Sequence, residues 1–105
     1  MAFVMSRLVA QSVSSTGTTT LFTATGNVLI KQLIVTYTGG SAMSNPFVVN
    51  IRDTGNTNYP IFYSAVAAST VVLWNLNQVI SSGEIINCSG GTGSNTTVVV
   101  SGIKF

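Results

Sequence analysis

The feature that most constrains this chain is the short rhythm of its apolar residues. Brief runs rich in Val, Ile and Thr are cut by clusters of Gly, Asn and Ser and never settle into a 3.6-residue period. Side chains branched at Cβ are stiff at χ1 and pack well on a pleated surface. With 14 Val, 8 Ile and 14 Thr they make up about a third of the 105 residues. The clearest run, Pro46 to Asp53, puts Phe47, Val49 and Ile51 on one face and Val48, Asn50 and Arg52 on the other. Further strands are expected over 20–25, 28–38, 59–64, 70–76, 84–89 and 96–105. The turns between them include Asp53 to Asn58 and the glycine loop Gly90 to Asn95, residue types that tolerate left-handed backbone. Ser64 to Ser69 offers one helical turn at most. The reading is an all-β, single-domain β-sandwich, jelly-roll-like, of seven or eight mostly antiparallel strands. It runs over residues 16–105, with 1–15 as an N-terminal arm or first strand.

Two runs break their own alternation. Val28 and Ile30 differ in parity from Leu33 and Val35, and Val98 and Val100 differ from Ile103 and Phe105. One extra residue restores a common face, so bulges are expected at Lys31-Gln32 and Ser101-Gly102. On that register Leu33, Val35, Phe47, Val49, Ile51, Val98, Val100 and Ile103 form the core.

Composition narrows the function. The chain is 46% hydrophobic and 6% charged, against about a quarter charged in an average domain. It has no His, and Asp53 and Glu84 are its only carboxylates. A His-based triad or Cys/His pair is therefore unavailable. Two carboxylates could in principle serve glycoside hydrolysis, but Asp53 opens a turn and Glu84 starts a strand. The expectation is no enzyme, no cofactor and no metal. Arg7, Lys31, Arg52 and Lys104 are scattered, whereas phosphate-backbone binding needs clustered cations, so no nucleic acid is expected. Gly90-Gly91-Thr92-Gly93 lacks a Gly-Lys-Ser/Thr ending and precedes a strand, unlike a phosphate loop. Cys88, alone in an apolar run, reads as a small buried hydrophobe. The start of the chain has too short an apolar run before Arg7 for a signal core, and no run reaches the length of a membrane helix. A soluble, non-secreted chain with no membrane partner is expected, and the sequons at Asn87 and Asn95 carry little weight there.

Several strands are apolar on both faces: Leu33-Ile34-Val35, Val71-Val72-Leu73-Trp74 and Val98-Val99-Val100. In so small a domain only another subunit can cover the second face. The interface candidates are Ile34, Val72, Trp74 and Val99, with Phe3 and Val4 as anchors of an N-terminal arm that also includes Met5 and Leu8. The chain is therefore expected to form a homo-oligomer.

From Leu21 to the C-terminus the chain resembles a family of small β-sandwich virion proteins of tailed bacteriophages. The likeness lies in Leu21-Phe22-Thr23-Ala24-Thr25, Val28 to Val35 ending at Thr38-Gly39-Gly40-Ser41, Phe47-Val48-Val49-Asn50-Ile51 and Ile61-Phe62-Tyr63-Ser64. It continues through Ser82-Gly83-Glu84 and Val98-Val99-Val100-Ser101-Gly102-Ile103. Glu84 stands where the family has Asp, and Asn45-Pro46 adds a stop. The resemblance implies a capsid decoration (cement) protein on the virion surface, made in the host cytoplasm, a trimer partnered with the major capsid protein. A tail, neck or fibre component is the alternative. A carbohydrate-binding module using Trp74, Tyr37, Tyr59, Phe62 and Tyr63 is a further one.

Overall fold

Seven of the eight strands fall on the runs that the alternation marks, and the eighth lies in the N-terminal stretch. The computed structural model describes residues 4–105, as β1 (Ser6–Val13), β2 (Thr19–Thr23), β3 (Val28–Tyr37), β4 (Phe47–Arg52), β5 (Asn58–Ser64), β6 (Thr70–Ile80), β7 (Ile85–Gly90) and β8 (Thr96–Lys104). No helix occurs among the described residues, so none is long and apolar enough to cross a membrane. Ala65 to Ser69 is a plain connector rather than a helical turn.

The strands make two four-stranded antiparallel sheets, ordered β1-β8-β3-β6 and β2-β7-β4-β5. Every connection crosses from one sheet to the other except the β4–β5 hairpin. This is the eight-stranded jelly-roll arrangement of a β-sandwich, as the turn spacing predicts. Ser6–Val13 is the strand β1, an edge of the first sheet, so an arm can comprise only the residues before it.

The core lies between the sheets. Leu33, Val35, Phe47, Val49, Ile51, Val98 and Val100 are all buried, joined by Ile30, Phe62, Ile80, Ile86 and Cys88. Ile103 is the exception. β8 runs against β3 with Gly102 opposite Ile30 and Ile103 opposite Leu29, and the bulge lies at Lys31 on β3, between Ile30 and Gln32. The expected bulge at Ser101-Gly102 is absent, so Gly102 takes the inward position and Ile103 points outward. A Cβ on Gly102 would come within 2.2 Å of the Leu29 carbonyl oxygen. No larger residue fits that inward position without moving the backbone.

Four uncharged loops gather at one end of the sandwich, over residues 14–18, 38–46, 65–69 and 91–95. Backbone bonds knit them: Gly90 N–H donates to the Thr16 carbonyl (2.8 Å), Gly91 to Pro46 (3.1 Å), Met43 to Val66 (2.9 Å) and Thr38 to Asn95 (2.9 Å). The opposite end holds the turns at Asp53 and Glu84.

Candidate functional site

The two carboxylates act as turn locks. Asp53 Oδ1 accepts from the N–H groups of Gly55 and Thr57, both at 2.9 Å, and Oδ2 accepts from the Tyr59 hydroxyl at 3.2 Å. Glu84 Oε1 accepts from the Ser81 N–H at 2.6 Å. Each acid thus ties its own turn. Cys88 is fully buried, and desolvation pushes its thiol up to about 11, so it stays a neutral hydrophobe at ordinary pH. Among the described residues no three His, Cys, Asp or Glu side chains converge as a metal site would require.

One polar cluster lies on the outward side of the second sheet. Asn50 Nδ2 donates to Asn87 Oδ1 (3.2 Å), and Asn87 Nδ2 donates to Asn58 Oδ1 (3.3 Å). Both Asn50 and Asn87 are buried, and with Asn58 the three amides tie β4, β5 and β7 together. It is a stabilising ladder of the kind cross-strand polar pairs make.

The unusual surface is apolar. Register places Ala10, Val99, Ile34 and Leu73 in one row across the outward side of the first sheet. Ser12, Thr97, Thr36 and Val71 form the row on one side of it, and Ile103, Leu29 and Val79 form a further row toward the other end. Between the apolar rows runs a polar one, Arg7, Ser101, Gln32 and Asn75. Of the nine exposed large hydrophobics among the described residues, six lie on β5 and β6: Tyr59, Tyr63, Val71, Leu73, Trp74 and Val79. These two strands are the edges of their sheets, and neither carries a charge. The exposed apolar surface is therefore concentrated on one flank, with Lys31, bonded to Asn77, and Glu84, beside Tyr59 and Gln78, at its rim.

The structure splits the six interface candidates. Ile34 and Val99 do face outward, half-buried at the centre of the first sheet. Val72 and Trp74 face inward instead, opposite Val35 and Leu33, and Val72 packs against the core. The bulge at Lys31 does not disturb the parity of β6 before Asn75, so the odd residues Val71 and Leu73 take the outward side. Sequence reasoning missed them because both faces of that run are apolar. Val4 is exposed, and Phe3 lies outside the described residues. Met5 lines a pocket of about 340 Å³ with Lys31, Gln32, Asn75, Leu76 and Asn77, so the chain before β1 reaches toward the β3–β6 side. Leu8, expected in the arm, packs against the core.

A second pocket of about 350 Å³ lies between β5 and β6, lined by Ile51, Tyr59, Pro60, Ile61, Gln78, Val79 and Glu84. Trp74 does not join it: its ring packs on Phe62, with centroids 4.9 Å apart.

No family model matches the chain, and no curated protein does. Among solved structures it is similar to a chain in the structure of infectious bursal disease virus Gx strain, with 15% identity over 98% of this chain and a TM-score of 0.39. It is likewise similar to a chain in the structure of the Gt strain, with 11% identity over 97% of this chain and a TM-score of 0.39. The chain spans 27% and 38% of the length of those two chains.

Proposed function

We propose that this protein is a structural component of a virion, a capsid decoration protein of a tailed bacteriophage. It seats as a symmetric homo-oligomer, the trimer that the resemblance implies, over junctions of the major capsid protein. Its role is mechanical rather than catalytic. Burying apolar surface contributes about 25 cal/mol per Å², so a rigid sandwich that covers several shell subunits at once opposes their separation under internal DNA pressure.

The observation that carries this reading is the apolar β5–β6 flank, whose two strands hold no charged residue, with the apolar outward rows of the first sheet beside it. A free monomer keeps such patches small and its charges mixed. A subunit of an assembly gains by having neither. The four uncharged, hydrogen-bonded loops at one end add a low-desolvation surface for docking on the shell.

The test compares phage particles made with and without this chain. Particles lacking it should release DNA at a lower temperature, and adding the purified protein back should restore the loss. Equal thermal release in both, with no binding of added protein, contradicts the reading. A tail or neck component would use the same flank, and there the added protein would bind without changing the shell.

A saccharide-binding reading has one observation behind it, the Tyr59–Pro60 groove with Gln78 and Glu84 along its wall. A glycan array would show it as binding that Tyr59→Ala abolishes.

A further inference from the structure

We infer that β6 pairs edge to edge, antiparallel, with β6 of a second copy of this chain across a two-fold axis. The inference rests on the reading that this flank assembles, and it names what covers it.

The four sheet edges are unlike one another. β2 is only 5 residues long and is broken by a register shift between Thr20 and Phe22. β5 carries Pro60 and a bulge between Phe62 and Pro60. β1 carries Arg7 and a shift between Arg7 and Val9. Short length, proline, charge and bulges are the means by which a sheet edge is kept from adding another strand. β6 is the longest strand, 11 residues, with neither charge nor proline. Its one irregularity falls where Ile30 and Gln32 of β3 face Gln78 and Asn75, so Thr70 to Asn75 is an unbroken run. Lys31, whose Nζ donates to Asn77 Oδ1, stands at the end of that run and limits pairing to it.

The chemistry of the run fits its own copy. Thr70 to Asn75 has no charge to oppose in an antiparallel partner. An axis through Leu73 sets Leu73 against Leu73 outward and Val72 against Trp74 inward, and an axis through Val72 keeps the same faces. Apolar and aromatic cross-strand pairs of this kind stabilise a sheet.

The contact is small. At about 3.3 Å per residue the run Thr70 to Asn75 is about 20 Å long, and the molecule's thinnest extent is 18 Å. The run therefore offers about 360 Å² per copy, or about 700 Å² for two, below the roughly 1,200–2,000 Å² of stable interfaces, so the pairing is a weak contact that repetition over an assembly reinforces. With the axis through Leu73, the outward row Ala10-Val99-Ile34-Leu73 then becomes continuous across an eight-stranded sheet. On a shell of trimers, such a contact joins neighbouring trimers at the two-fold positions between them.

The experiment is light scattering of the purified full chain, from about 1 µM to about 500 µM, because the mass of a self-associating protein depends on concentration. The expected mass is an even multiple of the 10.9 kDa chain. Leu73→Lys, at an outward and half-exposed position, should halve it or weaken association by about 100-fold or more, since it sets like charges near the axis. Circular dichroism should show its β fold intact. Ala10→Lys, in the same outward row at the far edge, should leave the mass unchanged. A monomer or an odd oligomer at every concentration overturns the inference, as does a mass insensitive to Leu73→Lys, or dissociation by Ala10→Lys, which would mean face-to-face stacking. Failure here leaves the particle comparison untouched, because that reads binding to a shell and this reads binding to self.

Discussion

The ring of Trp74 lies 4.9 Å from that of Phe62, tilted by 53°, and so joins the edge strands of the two sheets. Phe62 in turn meets Phe47 edge-on at 6.3 Å. The exposed flank is thus fastened to the core through one aromatic chain. That packing restricts the Trp74 ring, which lowers the entropy lost when the flank is covered.

Trp74→Ala should destabilise the fold by about 1–3 kcal/mol, less than a fully buried aromatic because the side chain is 40% exposed. Trp74→Phe should recover most of that. Urea denaturation of the two variants checks this. An alanine variant as stable as the wild type would mean that the Phe62 contact contributes nothing. Trp74 is also the single tryptophan, so its emission reports directly on whether the flank is covered.

Gly90 has φ +83°, and a Cβ there would stand 2.2 Å from the Pro46 carbonyl oxygen. Its own N–H bonds Thr16, so the clash falls where the loops are tied together. Gly90→Ala should cost about 3 kcal/mol or more. Gly26, where a Cβ would meet nothing within 4 Å, is the control. Gly26→Ala should change stability by less than about 1 kcal/mol. Equal denaturation midpoints for the two variants would contradict this account of the loop end.

Burial raises the Cys88 thiol from the ordinary 9.0 to about 11. The native state keeps this proton while the unfolded chain ionises, so stability falls as pH rises between about 9 and about 11. Wild type should therefore lose stability faster than Cys88→Ala across that window, by up to about 1.4 kcal/mol per pH unit. Parallel pH profiles would show that the thiol ionises freely in the fold.

Deleting residues 1–5 should leave the fold intact, because β1 begins at Ser6. It should weaken attachment to particles, since Met5 lines a pocket with Lys31 and Asn75 beside the flank. Co-sedimentation with particles reads the second effect and thermal melting the first. Deletion through Leu8 should instead destabilise the sandwich, because Leu8 packs on its core.

Most of the fold was legible because period-2 patterning survives wherever one face is buried, as Phe47, Val49 and Ile51 show. It failed where both faces are apolar or where a bulge changes parity. Ile103 reads as a core residue because nothing in Val-Ser-Gly-Ile reveals that β8 runs straight while β3 takes the bulge. Asn77 to Ile80 reads as a connector because polar Asn77 and Gln78 lead into Ser81-Ser82-Gly83, yet β6 continues to Ile80 in unbroken alternation, with Val79 outward and Ile80 buried. The pairing of Val72 and Trp74 with inward partners was invisible for the first reason. The flank itself depends on which strands end as sheet edges. That follows from strand order, a property of the whole chain with no local signal.

The central claim is tested most directly by counting copies of this chain in purified phage particles, by quantitative mass spectrometry against the major capsid protein. A decoration role predicts abundance of the same order as the capsid protein, as repetition over an icosahedral shell requires. A handful of copies would place the chain in the tail or neck, and its absence from particles would contradict the account altogether.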